Sequence, residues 1–498
     1  MKNAKRILAS LLSVLMLLPA LASCSGDPAE TPSTDTTAPA DTTAPVETEP
    51  RETERHEIRD DLPENLNYDG RTCRIYVGTQ TTFDRYVMGS EEAAGDVVNE
   101  AVFTRNLNVQ EQLNFTLEAA TFNDSLETIG PSITKLVQAN DSTYDFFLGQ
   151  QCRITGLVSQ HMFVNAYELD HINFEQPWWL NNFMDELTLG TKYRYLVVSD
   201  FNTNTIEGIR ANIFNKNLYE KLYGDPNELY QEVLDGKFTF DRMNTLVAGA
   251  YADLNGNGQT DLDDQLGLLT WSLQAAVDPF VYSGEIGFTT RDADGFIQLN
   301  MQTEEAAALA EKLCAFFYQP AVSFNAGKNP AEFFVSGNIL FMGNGTFGSC
   351  SSLRDMEDDY GILPHPKLTE DQDSYYSLVH DTTLLTGVPV TCANLDMIGA
   401  VLEALAAESY RRVTPAYYET ALKVKYARDD ISSQMIDLIK GTMTTNFIYT
   451  YTNSLNGIGH IYRTLVTANS TNYVSHMKKL LPAAEKSLAE LVKTFKGE

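Results

Sequence analysis

The sequence predicts a helix-rich α/β fold, on three observations. Between Arg71 and Gln150, short apolar runs alternate with helix-period segments in the order that builds a mostly parallel sheet. The alternation resumes after Tyr193, and long amphipathic segments follow it.

The first strand is RTCRIYVG, Arg71–Gly78, a β-like run closed by glycine. Residues 96–114 follow, with Val97, Val98, Ala101, Val102, Leu107 and Val109 broadly at helical spacing. FTLEAAT is the second strand, LETIGPSITKLVQAN a helix carrying a proline, and YDFFLGQ, ending at Gln150, the third strand. YRYLVVSD, ending at Asp200, and RANIFN read as further strands, and KNLYEKLYG and FTFDRMNTLVAGAYA as helices. Residues 303–319, 394–413 and 474–495 read as amphipathic helices. Internal repeats are not visible, and about 430 residues beyond the N-terminal region suffice for two or three domains.

The N-terminus predicts export. Lys2, Lys5 and Arg6 precede an apolar run from Ile7 to Ala22, as in a signal peptide. LASC, Leu21–Cys24, resembles the bacterial lipobox, which implies a signal peptide over 1–23 and acylation of Cys24. No later run reaches the roughly 18–20 apolar residues of a membrane span. Residues 24–66 read as a disordered, acidic, Pro/Thr-rich tether, because almost nothing in them can offset the entropy of ordering. Between residues 25 and 65 there are 12 acids against 3 arginines.

The formal net charge of −31 excludes partners that demand Lys/Arg clusters, namely nucleic acid and anionic lipid. It also favours neutral or cationic solutes over phosphates and sulfates. Cys73, Cys152, Cys314, Cys350 and Cys392 are scattered without CxxC or Cys/His spacing, so a zinc site is not expected. They read as buried small hydrophobes, with a single disulfide left open.

DLNGNGQTDLDD, Asp253–Asp264, has the ligand spacing of a calcium loop. Asp253, Asn255, Asn257, Gln259 (through its carbonyl), Asp261 and Asp264 occupy positions one, three, five, seven, nine and twelve, and Gly258 sits at the sharp turn. The β-like QLGLLTW follows where a second helix would be needed, and Asp replaces Glu at position twelve. The reading is a structural calcium staple; an Asx-rich turn without metal is the main alternative. A regulatory switch is disfavoured, since sensors open a groove between two helices.

Several segments in series resemble the extracellular solute-binding proteins of bacterial ABC importers, the broad group that includes maltose-binding protein. They are YDGRTCRIYVG, GDVVNEAVFTRNLNVQEQLN, IRANIFNKNLYEKL with GKFTFDRM, FVSGNILFMGNGTFGS, YGILPHPK and AAESYRRVTPAYYETALKVKYARD. The resemblance covers most of residues 68–465. It implies a two-lobe, type II periplasmic-binding-protein-like fold with discontinuous lobes and a hinge. Lobe 1 would hold 67–200 plus 335–388, and lobe 2 would hold 201–334 plus 389–498. Ligand positions carried over by the same analogy are Gln80, Phe83 and Asp84; Gln150 and Gln151; Asp200 and Asn202; Trp271; Asn344 and Phe347; and Tyr376, His380 and Asp381. Trp178 and Trp179 read as packing residues, with a cleft-facing ring as the alternative.

The function this implies is a lipid-anchored, monomeric, non-enzymatic receptor on the outer face of the cytoplasmic membrane. It would capture a mono- or oligosaccharide and deliver it to ABC permease subunits. The alternatives are a surface glycoside hydrolase, which needs two suitably spaced carboxylates, and a glycan-binding lipoprotein outside transport. GNGTFG, Gly343–Gly348, fits GxGxxG but lacks the βαβ context of a dinucleotide site.

Overall fold

The computed structural model describes residues 55–78, 85–91, 95–122, 127–324, 329–424 and 430–498. Cys24, Gln80, Phe83 and Asp84 lie outside the described residues. Along the chain run β1 (Arg71–Gly78), β2 (Phe115–Phe122), β3 (Phe146–Gln150), β4 (Asn212–Asn215), β5 (Leu266–Thr270), β6 (Thr289–Arg291) and β7 (Ile297–Leu299). They continue as β8 (Val322–Phe324), β9 (Ile339–Met342), β10 (Tyr360–Leu363), β11 (Ser377–Leu378), β12 (Leu384–Gly387) and β13 (Met443–Thr444).

The first main sheet has the order β12-β3-β1-β2. Its three early strands are parallel, as the strand–helix alternation predicts, and β12 returns antiparallel against β3. Asp96 caps the Val97–Leu113 helix by accepting from the N–H groups of Val98 and Asn99, and Asn114, left-handed at φ 47°, turns the chain into β2. Pro131 is tolerated in the Ile129–Gln138 helix because it falls in the first turn, where its missing N–H would have no helical partner.

The second sheet has the order β10-β4-β9-β5-β8. Strand β4 runs antiparallel between β10 and β9, while β9, β5 and β8 are parallel. An aromatic cluster of Phe240, Phe280, Phe316 and Phe317, with ring centroids 5.1–5.8 Å apart, ties three helices of this region together.

The pairing corrects the expected partition. Strands β9 and β10 fall within 335–388, assigned to the first lobe, yet they hydrogen-bond to β4 and β5 of the second sheet. Only β12 of that segment joins the first sheet. The Leu395–Glu408 helix, assigned to the second lobe, binds first-sheet neighbours instead: Tyr68 Oη donates to Asp396 O, and Asn108 Nδ2 to Glu408 Oε1. YRYLVVSD makes only isolated bridges, Val197 to Thr386 and Ser199 to Trp179. The helix expected over 394–413 ends at Glu408 and continues as π-helical turns; Ser409 Oγ donates to Leu405 O there, and Arg411 and Arg412 reach back to Glu408.

The expected tether is also shorter than 24–66. Ile58, Leu62 and Leu66 pack on the core, Arg55 stacks over the Tyr410 ring at 4.0 Å, and Arg411 donates to Ile58 O. Trp178 and Trp179 are both buried, in an irregular segment of the chain. Their indole N–H groups donate at 3.0 Å to the two oxygens of Glu403. All five cysteines of the described residues are buried and unpaired. Among the described residues, no helix is long and apolar enough to cross a membrane.

Candidate solute pocket and loop site

The segment from Ser199 to Arg210 is polar in sequence and buried in the fold. Asn202 fastens it: its oxygen accepts from Ser199 N, and its Nδ2 donates to Leu384 O and Thr386 Oγ1 of β12. The chain then makes one helical turn, Asn204–Glu207. Asn204 Nδ2, Thr205 Oγ1 and Glu207 Oε2 are buried there without hydrogen-bond partners, as is Gln150 Oε1 at the end of β3. Unsatisfied buried polar atoms on this scale are rare away from functional sites. Gly208 follows, and a Cβ on it would sit 2.4 Å from Thr383 Cγ2, so the close approach of the two segments requires glycine.

Beside this turn is a pocket of about 440 Å³, within the range of small-ligand sites. Trp271 and Asn344 project from the loops that follow β5 and β9, at the carboxyl ends of parallel strands, where α/β sheets bind ligands. Arg210, Thr346, His380 and Thr382 are among the other polar lining residues, beside Ser272, Asn329 and Ser349. The Trp271 ring is 49% exposed, unusual for so large an apolar surface. Asn344, left-handed at φ 63°, is locked by Thr270 Oγ1 on its side chain and by Arg210 Nη1 at 3.0 Å on its carbonyl.

Below the lining is a buried charge cluster. Arg463 Nε lies 2.8 and 2.9 Å from the two oxygens of Asp278, and its Nη2 lies 3.0 Å from Asp381 Oδ2. Burial pushes Asp278 up to about 6 against the pull of Arg463. Burial also opposes ionisation of Asp381, but the Arg463 guanidinium bound to it favours the charged form and holds the group below the usual carboxylate range. Burial and the charge of Arg210 push His380 down to about 3. Thr382 N–H donates to His380 Nδ1 at 3.0 Å, which fixes a neutral tautomer, so Arg463 is the effective counter-charge of Asp381. Two arginines, Arg210 and Arg463, thus face two aspartates, and the floor is charge-balanced.

Of the positions expected from sequence, Trp271, Asn344 and His380 meet in this pocket, and Asp381 lies directly beneath it. Gln150 and Asp200 are buried outside the lining. Gln151 donates to Thr445 and Thr450, and Asn202 is consumed by backbone fastening. Phe347 is a core residue with no exposure, and Tyr376 donates to Glu285 at 3.3 Å away from the pocket. The sequence reading missed Arg210, Thr346, Thr382 and the Asn204–Glu207 turn. The one available signal was the polar run NTNT, Asn202–Thr205, between more apolar segments.

In the acidic loop, Asp253 accepts from the N–H groups of Gly256 and Gly258, both left-handed at φ 72°. Asn255 and Asn257 bring their amides to within 2.7–3.1 Å of the Asp261 carboxylate. Asp264 is buried and turned inward, accepting from Leu254 N and Asp261 N, and Gln259 is exposed. Among the described residues, no group of three or more His, Cys, Asp or Glu side chains has metal-holding geometry. Asn255, Asn257 and Asp261 converge, with Asp253 on the glycine N–H groups, and a half-turn of each amide presents oxygen instead of nitrogen. That donor set fits a hard cation such as calcium, with Asp264 closing the loop and not reaching the centre.

No protein-family model matches the chain, and no curated relative matches it. Solved structures do. A solute-binding protein of an ABC transporter from Thermotoga lettingae, bound with α-D-tagatose, aligns with TM-score 0.51 at 12% identity, covering 85% of this chain and 100% of its own. An ABC substrate-binding protein from Listeria monocytogenes in complex with cycloalternan aligns at 0.50 and 9%, covering 86% and 100%. A cyclo/maltodextrin-binding protein complexed with maltotetraose gives 0.52 and 12%, covering 86% and 98%. What is shared at such identities is architecture, and the chain has the periplasmic-binding-protein-like α/β fold of ABC-transporter solute-binding proteins.

Proposed function

We propose that the chain is a lipid-anchored extracellular receptor that captures a small carbohydrate in the Trp271 pocket and presents it to the permease of an ABC importer. The observation that carries this is the half-exposed Trp271 ring set among amide, hydroxyl and imidazole groups. A flat apolar face with convergent hydrogen-bonding groups suits a sugar, which has both an apolar ring face and hydroxyl edges. The three solved structures named above were each found with a saccharide. The lining contains no carboxylate among the described residues, and Asp278 and Asp381 are bound to Arg463 below it, so the arrangement supports binding over glycosidic cleavage. Closure of two lobes about a hinge, monomeric state, anchoring through Cys24 and residence on the outer face of the cytoplasmic membrane belong to the same reading. Asp253, Asn255, Asn257, the Gln259 carbonyl and Asp261 would hold a calcium ion that braces the loop before β5.

Titration calorimetry with tagatose, maltose and longer maltodextrins tests the ligand class. Trp271→Ala should weaken binding by about 2 kcal/mol, roughly 30-fold, while leaving thermal stability unchanged because the ring is exposed. Saccharides that bind equally well to the variant, or that are hydrolysed by the intact chain, would overturn the assignment.

A further inference from the structure

A second concavity of about 740 Å³ shares no lining residue with the Trp271 pocket. It lies between the Ile129–Gln138 helix, the segment Gln151–Gln160 and Asn453. Its polar residues are Thr134, Lys135, Gln138, Arg153, Gln160 and Asn453, and it has no Asp or Glu among the described residues. In a chain with net charge −31, a groove whose only charged groups are two cations is a local inversion of the prevailing field.

Neither cation is neutralised internally, since Lys135 and Arg153 make no ion pair with any described residue. The Nε–H of Arg153 is buried with no hydrogen-bond acceptor among the described residues, and so is the nearby Ser454 hydroxyl, which would lie 3.8 Å from a Cβ on Gly156. Buried donors without acceptors are normally satisfied by protein, water or a ligand. Asn453 Nδ2 donates to the carbonyl of Cys152, which fixes the backbone next to Arg153. A guanidinium in the groove lining whose Nε–H has no acceptor among the described residues can meet the paired oxygens of carboxylate or phosphate, and Lys135 adds a mobile point charge on an exposed helix face.

We propose that this groove is a second site that binds a small oxyanion through Arg153 and Lys135, with Thr134, Gln138 and Gln160 as neutral donors. The overall acidity of the chain argues against anions at large; this groove is the local exception.

Titration calorimetry on the intact chain, with inorganic phosphate in one arm and glucuronate in the other, each against sodium chloride of equal ionic strength, tests the site. Saturable 1:1 binding in either arm is expected, and the arm that saturates shows whether the oxyanion is a free phosphate or the carboxylate of an acidic sugar. K135Q/R153Q should weaken it at least tenfold, and W271A should leave it unchanged. Lys135→Glu alone, on an exposed position, should also weaken it with an unchanged circular dichroism spectrum, which covers the case of a double variant that misfolds. Binding unaffected by these substitutions, binding lost in W271A, or no saturation in either arm beyond the chloride control would each overturn the site.

Discussion

Arg463 Nη2 stands 3.0 Å from Asp381 Oδ2, and through this contact the helix Ile461–Thr467 is joined to the segment that leads into β12. The same guanidinium holds Asp278, so one side chain compensates two buried carboxylates. Arg463→Met should therefore cost about 3–5 kcal/mol in urea unfolding at pH 8, the range for an orphaned buried charge. The loss should shrink at pH 5, where protonation relieves the uncompensated aspartates. A cost below about 1 kcal/mol at both pH values would show that the cluster contributes nothing to the fold.

Glu403 makes stability depend on pH. Burial pushes its carboxyl up to about 7 even though three N–H groups, from Asn173, Trp179 and Trp178, favour the ionised form. A carboxyl raised above its unfolded value binds a proton in the fold that the unfolded chain has already released. Its contribution is complete below about 4.5 and is lost as pH rises through about 7. Unfolding free energy should thus fall across that window in the wild type, and Glu403→Gln should remove this component. Parallel profiles for the two proteins would contradict the linkage.

Residues 55–66 should behave as part of the folded body. A chain starting at residue 67 loses the Ile58, Leu62 and Leu66 packing and leaves Arg411 without the Ile58 carbonyl and the Asp60 carboxylate 3.7 Å away. The expected cost is about 2–4 kcal/mol. A chain starting at residue 51 should match the full-length chain. Differential scanning calorimetry of the two truncations separates them.

Calcium should raise the melting temperature. With millimolar ion and a dissociation constant of about 0.1 mM, as in extracellular modules, linkage gives about 1.4 kcal/mol. Asp261→Asn should abolish the increment and leave the EDTA-treated protein little changed, since its own backbone contact is a single turn to Asp263 N. A melting temperature indifferent to EDTA would leave the loop as a ladder of Asx turns.

The strands of the first sheet and the helix between β1 and β2 were legible because they rest on local signals, such as Gly78 after an apolar run and apolar residues at helical spacing from Val97. The partition of the chain was not, because β4 lies between β9 and β10, pairings separated by more than a hundred residues that no local period encodes. In the site, Trp271 and Asn344 are placed by the resemblance, and both follow strands of the second sheet. Phe347, in a glycine-rich loop, reads as exposed until its N–H is seen to donate to Ile209 O and draw the ring inward. Arg210 reads as an ordinary strand residue until its bridge to Thr346 turns it toward the pocket.

The five unpaired thiols have a practical consequence. Each is buried, and burial raises all five above the ordinary thiol range, so a native molecule offers almost no thiolate to an alkylating reagent. Labelling must then wait for the surrounding structure to open. The described residues carry five built-in stopwatches, Cys73 in β1, Cys314 in a helix beside the second sheet, and Cys152, Cys350 and Cys392, whose separate clocks would time the breathing of each region without any engineered label.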